Sequence, residues 1–353
     1  MYKSQSKKIF ICIFIVFIII YAILFAANTL YADKRVQDSK IRVAENVTHT
    51  SSPSNRTILP GEHIWKNGVS SYVLGVNDTN LWNESNNIEI NTGVQQLVKQ
   101  AHFPLIRIWF FSPYSEYSAM GNDAETERRL KLVSDMGAQC LGVLEDTTPQ
   151  AFDYYKHVVR LAGNRCNMYE FGNEPGENGA PDMPAYLQSW NTLIPQLRQI
   201  NPHAIFIGPV AGEGPITTPH WIPDFLNGVK ASGVLPDAVS FHEYSTNPSL
   251  FGAEVTQTKQ IIKNILGKDL PVGITEWNEY CCNESNWTSD PGFSQYVTDS
   301  LNSMIAAHTD FANEFTLYNS GGLDDQDLDM FDASGQPRPE YTIMKSMIAK
   351  YST

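Results

Sequence analysis

Two short segments carry acids in positions that could do chemistry. Asn173-Glu174-Pro175 and Thr275-Glu276-Trp277-Asn278 each place a glutamate at the end of a short apolar run, 167–171 and 272–275. Two carboxyl groups brought to one cavity can divide a reaction between them. One, held ionised, attacks or stabilises an electron-poor centre, while the other, held protonated, delivers a proton. Other chemistries lack their residues. There is no G-x-S-x-G elbow and no G-x-x-x-x-G-K-[ST] loop. His242-Glu243-Tyr244-Ser245-Thr246 lacks the second histidine of a zinc helix, and the 8 histidines are scattered. The acidic stretch Asp324–Asp329 lacks the glycine and final glutamate of a calcium loop and reads as a solvated loop. No metal and no cofactor are expected.

The elements that must position these acids follow an alternating pattern. Short apolar runs at 72–76, 105–110, 140–144, 167–171, 205–210, 238–241, 272–275 and 315–318 read as strands. Longer amphipathic stretches at 93–101, 124–136, 186–200, 254–266 and 293–307 read as helices. Eight such units predict an α/β fold, a (β/α)8 TIM barrel over 59–353. A doubly wound open sheet is the alternative, but no G-x-G-x-x-G follows any of the runs. In a barrel, chemistry sits at the C-terminal ends of the strands. Those ends offer Asn77, Arg107, Glu145, Asn173, Glu174, Glu213, His242, Tyr244, Glu276 and Tyr318. Strands 4 and 7 lie nearly opposite each other, so Glu174 and Glu276 can face one another.

At these residues the chain resembles the retaining glycoside hydrolases of the (β/α)8 clan with acid/base on strand 4 and nucleophile on strand 7. Asn173-Glu174-Pro175 is similar to the strand-4 signature, and Thr275-Glu276-Trp277-Asn278 to the nucleophile segment of families 39 and 51. Ile207-Gly208-Pro209 and the segment Asp237–Tyr244 are similar to families 39 and 79, and Phe331–Tyr341 resembles the stretch before the last helix. The similarity runs over 64–351. It implies Glu174 as acid/base, its pKa raised by the neighbouring charge, and Glu276 as nucleophile. It further implies that Arg107 and Tyr244 keep Glu276 ionised, that Asn173 holds a sugar 2-hydroxyl and that His242 lines the same wall. Trp109, Trp277 and Tyr318 are candidates for stacking on sugar rings, with core packing as the other reading. The expected partner is an oligo- or polysaccharide. A barrel that binds glycans without cleaving them and a transglycosylase are the alternatives.

Composition agrees with an exported enzyme. Of 353 residues, 42% are hydrophobic and 11% aromatic, enough for a full core, and the net charge of −13 argues against nucleic acid as a partner. Ile9 to Ala27 is uncharged and free of proline, long enough to cross a bilayer, and Lys3, Lys7 and Lys8 precede it. It reads as a signal anchor (9–27) after a cytoplasmic tail (1–8), with cleavage as a signal peptide the alternative. Residues 28–58 are polar and Ser/Thr-rich, a flexible stem. The catalytic domain would then be extracellular or lumenal. Sequons at Asn46, Asn55, Asn77, Asn83, Asn283 and Asn286 could accept glycans. Cys140 and Cys166 open neighbouring strands and could bridge, and Cys281-Cys282 follows the strand-7 acid; free thiols are the alternative.

Overall fold

The computed structural model of the chain describes residues 57–78, 91–115, 117–176, 182–279, 292–318, 328–332 and 334–352. The apolar run 9–27, residues 28–56 of the stem, the acidic loop 324–327, Cys281, Cys282 and the sequons other than Asn77 lie outside them. Among the described residues, no helix is long and apolar enough to cross a membrane.

Among the described residues, eight strands alternate with eight α-helices: β1 (Gly75–Asn77), α1 (Thr92–Ala101), β2 (Leu105–Phe110), α2 (Asp123–Met136), β3 (Gln139–Leu144), α3 (Phe152–Ala162), β4 (Met168–Phe171), α4 (Met183–Ile200), β5 (Ile205–Ile207), α5 (Trp221–Ser232), β6 (Val239–Tyr244), α6 (Pro248–Leu266), β7 (Val272–Asn278), α7 (Phe293–Ala306), β8 (Phe311–Glu314) and α8 (Pro339–Ser352). All neighbouring strands are parallel, in the order β5-β4-β3-β2-β1-β8-β7-β6. Parallel bridges Ile207–Ala238 and Ala211–Phe241 join the two ends, closing the barrel.

Several helices start where short polar side chains satisfy free backbone N–H groups. Asn91 accepts from Gly93 and Val94 at the head of α1, Asn122 from Glu125 at α2, and Asp182 from Ala185 at α4. Gly137 ends α2 at φ +76, the left-handed turn that glycine tolerates.

Strand alternation sorts the side chains. On β2, Ile106, Ile108 and Phe110 join the large core beneath the helices. Leu105 joins a smaller cluster with Leu141, Met168, Ile207, Ala238 and Phe311. Leu105, Met168 and Phe311 open their strands and Ala238 directly precedes β6, so this cluster plugs the barrel floor and leaves the upper interior for polar groups.

Two strands begin elsewhere than the sequence suggests. Ser71–Leu74 is a short 3-10 helix, and β1 starts only at Gly75. β8 is Phe311–Glu314, four residues before the apolar run 315–318. The interior of this barrel holds polar side chains, so Asn313 and Glu314 are buried within a strand although their types read as loop. Helices α3, α5 and α8 complete the five read from periodicity.

Candidate active site

Arg107 is the hub. It sits in the middle of β2, fully buried, among apolar neighbours. An isolated charge there would cost several kcal/mol, so its partners must be close. Nε donates to Glu170 Oε2 at 2.6 Å, and Nη1 donates to Glu276 Oε1 at 2.7 Å and to Asn77 Oδ1 at 3.0 Å. Nη2 donates to Asn173 Oδ1 at 2.8 Å. One guanidinium thus spans β1, β4 and β7. Burial lowers its pKa, but the charges of Glu170 and Glu276 outweigh that and raise it.

Glu276 faces this hub because β7 is irregular. Val272 and Ile274 pack into the helix-side core, and strict alternation would send Glu276 the same way. The register shifts instead: Phe241 pairs with Ile274, while His242 pairs with Glu276, leaving Thr275 as the extra residue. The bulge turns Glu276 into the barrel and Trp277 out into the core. Tyr244, also inward on β6, donates its hydroxyl to Glu276 Oε2 at 2.9 Å. Burial and the charges of Glu276 and Glu174 raise the Tyr244 pKa well above 10, so it stays a donor.

Glu174 lies past the end of β4 in a tight turn. Its φ is +45, an uncommon conformation for a residue with a side chain, and its N–H is held by Val210 O at 3.0 Å. The turn delivers the carboxyl to His242: Nδ1 is 2.7 Å from Glu174 Oε1 and 3.6 Å from Glu276 Oε2. Burial pushes the Glu174 pKa up, but the His242 hydrogen bond, the His242 charge and Arg107 together hold it below the usual carboxylate range. This reverses the sequence expectation of a raised value. The neighbour that dominates is a histidine, whose presence against Glu174 the sequence did not reveal. His242 moves the opposite way: burial lowers its pKa, yet Glu276 and Glu174 raise it overall.

An oxygen of Glu174, a ring nitrogen of His242 and an oxygen of Glu276 all lie within 4.8 Å of one another. A cation would need those three atoms as ligands. They are already engaged by Arg107, Tyr244 and each other, and the guanidinium supplies the positive charge an ion would bring.

The structure therefore brings together Arg107, Asn173, Glu174, His242, Tyr244 and Glu276. Of the three aromatic candidates, Trp277 and Tyr318 pack into the core, while Trp109 lies against the Arg107 guanidinium. Trp277 is 0% exposed and packs edge-on against Phe251 of α6, so the strand-7 bulge rules it out as a sugar platform. Trp109 is 6% exposed, with the Arg107 guanidinium 4.9 Å from its centroid and Phe111 stacked on it. Tyr318 is 3% exposed against Phe331. Asn77 is no glycan acceptor: it is buried, bonded to Arg107 and to the backbone of Thr275. The residue sequence reasoning missed is Glu170, fully buried, bonded to Arg107 and to Ser240 Oγ at 2.6 Å. Its signal was an acid in the centre of an apolar strand.

The same barrel recurs among glycoside hydrolases. A glucosidase from Croceicoccus marinus is similar with a TM-score of 0.63 at 14% identity, over 78% of this chain and 66% of that one. A family 39 enzyme from Xanthomonas axonopodis pv. citri has a TM-score of 0.66 at 14% identity, over 84% and 72% of the respective chains. A family 128 endo-β-1,3-glucanase from Amycolatopsis mediterranei, in complex with laminaritriose, has a TM-score of 0.50 at 15% identity, over 72% of this chain and 95% of that one. The chain thus spans about two thirds of the length of the glucosidase. No protein-family model and no curated protein matches the sequence. At these identities the likeness establishes the fold.

Behind the site lies a second group of acids. Glu243, the outward neighbour of His242, is buried beside Glu254 of α6, with Glu213 nearby. Burial, then the Glu254 charge, push Glu243 up to about 8. Burial raises Glu254 to about 7 against hydrogen bonds from the loop above it. Glu254 accepts from Ile216 N at 2.7 Å and from Thr217 N and Oγ1 at 3.0 Å, fixing the loop between β5 and α5.

Proposed function

We propose that the chain is a retaining glycoside hydrolase acting on O-glycosidic bonds of an oligo- or polysaccharide. The observation that carries this reading is the closeness of the Glu174 and Glu276 carboxyl oxygens, within 4.8 Å across the barrel mouth. Retaining enzymes keep their two carboxyls about 5–5.5 Å apart, whereas inverting enzymes leave about 6.5–9.5 Å for a water molecule. The fold shared with glycosidases supports the same reading.

Each residue then has a task. Glu276, pinned by Arg107 and Tyr244, points one oxygen at the anomeric carbon and forms a bond as the leaving oxygen departs. The leaving oxygen takes a proton from Glu174. In the free protein that proton is shared with His242 Nδ1, which sits within hydrogen-bond distance of the carboxyl. Once Glu276 is esterified its charge is gone, and the His242–Glu174 pair accepts a proton from the attacking water. Asn173, oriented by Arg107, is placed to bind a sugar hydroxyl.

The barrel's exported location is part of the proposal. The apolar run 9–27 and the Cys140–Cys166 disulfide support it. Protease should remove the 59–353 domain from intact cells if it is extracellular, and sealed microsomes should protect it if it is lumenal; protection on intact cells together with digestion in sealed microsomes would contradict this.

Azide rescue tests the mechanism. With an aryl β-glycoside as substrate, Glu276→Ala plus azide should give the α-glycosyl azide, and Glu174→Ala the β-glycosyl azide. Turnover by both variants at the unmodified rate would overturn the assignment.

A further inference from the structure

Acid catalysis by Glu174 fixes where the departing sugar must lie, on the Glu174 side of the broken bond, over the turn that follows β4. Two residues on, Gly176 is exposed with φ +89. A methyl group built on it would meet Trp221, the first residue of α5, at 1.8 Å from Cζ2, 2.6 Å from Cη2 and 2.9 Å from Cε2. The two flanking carbons are each much farther than the nearest one, which is the pattern of approach to a ring edge in the ring's own plane. A point above the ring face would be closer to both. Glycine therefore lets the indole close onto the chain beside Glu174 through its edge, so that this contact takes up neither face. Trp221 is half-buried, and the loop leading to it is fixed by the three hydrogen bonds to Glu254.

We propose that Trp221 is the platform on which the leaving-group sugar stacks, with Gly176 as the residue that admits it. The inference rests on the hydrolase reading and deepens it by assigning the aglycone side. The ligand class is a pyranose ring presenting a C–H face to the indole. Trp277 and Tyr318 are packed into the core, and Trp109 is stacked on Phe111 and lies against the Arg107 guanidinium, not beside Gly176.

The test compares substrates with and without a leaving-group ring. Xylotriose and laminaritriose have one; the β-fluorides of xylobiose and laminaribiose replace it with fluoride, which needs neither stacking nor a proton. Trp221→Ala should lower kcat/KM on the trisaccharide the protein cleaves by about tenfold, with fluoride turnover unchanged. Trp221→Phe should restore most of the loss, and Gly176→Ala should reproduce it by displacing the indole. An equal fall on both substrate types, or no fall on either, overturns the platform. Wild-type protein inactive on all four would fault the hydrolase reading instead. Calorimetric binding of the trisaccharides to wild type and Trp221→Ala then decides the platform: weaker binding to the variant supports it, while equal or absent binding overturns it.

Discussion

His242 Nδ1 lies 2.7 Å from Glu174 Oε1, and the two pKa values move in opposite directions. The pair holds one exchangeable proton between a carboxylate and a ring. The raised His242 value means that its contribution to stability is complete below the ordinary imidazole pKa and is lost as pH rises through the folded value. The lowered Glu174 value means that its contribution is present above the ordinary carboxylate pKa and is lost as pH falls through the folded value.

The alkaline limb of activity should follow from this proton. In wild-type protein, kcat/KM should fall only above the ordinary imidazole pKa, because His242 keeps the proton there. In His242→Gln, the proton rests on Glu174 alone, and the limb should move to lower pH. A pH–rate profile of the two proteins checks it. Coincident limbs would show that His242 does not share the proton.

Glu170 should matter through Arg107. Glu170→Gln keeps the shape and the Ser240 contact but removes one of two anions from the guanidinium. Thermal unfolding should show a loss of about 1–3 kcal/mol. Arg107 is then less firmly aimed at Glu276 and Asn173, so kcat should fall while KM changes little. An unchanged kcat would restrict Glu170 to a structural part.

The Glu243–Glu254 pair should make stability fall with pH. Folded carboxyls at about 8 and about 7 hold protons that the unfolded chain releases near 4.5. The pair's contribution to stability is therefore greatest below about 4.5 and declines as pH rises toward the folded values. Glu243→Gln should remove part of that slope, gaining ~1–3 kcal/mol over wild type at pH 8 relative to pH 5. Parallel stability curves for the two proteins would contradict the pairing.

Cys140, at the start of β3, is bonded to Cys166, just before β4. The two cysteines are 26 residues apart, so opening the bridge should cost about 3 kcal/mol of stability through the freed unfolded chain. Melting of wild type with and without reductant, beside Cys140→Ala, measures it. A reductant effect that persists in Cys140→Ala would point to other thiols.

The barrel was legible from strand spacing, since parallel strands buried on both faces are bounded apolar runs. β8 was not, because Asn313 and Glu314 put polar residues inside it. Both catalytic candidates were legible as strand-end glutamates. The inward aim of Glu276 was not: it depends on the extra residue Thr275, and β-bulges break the alternation on which sequence reading rests. The same bulge explains why Trp277, beside a site residue in sequence, belongs to the core. Trp221 escaped notice because its contact with Gly176 joins the turn after β4 to the start of α5, which only the closed barrel brings together.

Covalent capture tests the central claim most directly. Incubation with 2-deoxy-2-fluoro-β-glycosyl fluorides of xylose and glucose slows the second step, so the sugar stays on the nucleophile. Peptide mass analysis should then find one fluorosugar ester, on Glu276. Attachment at another residue would contradict Glu276 as nucleophile, and direct release of an α-configured product would contradict the covalent route.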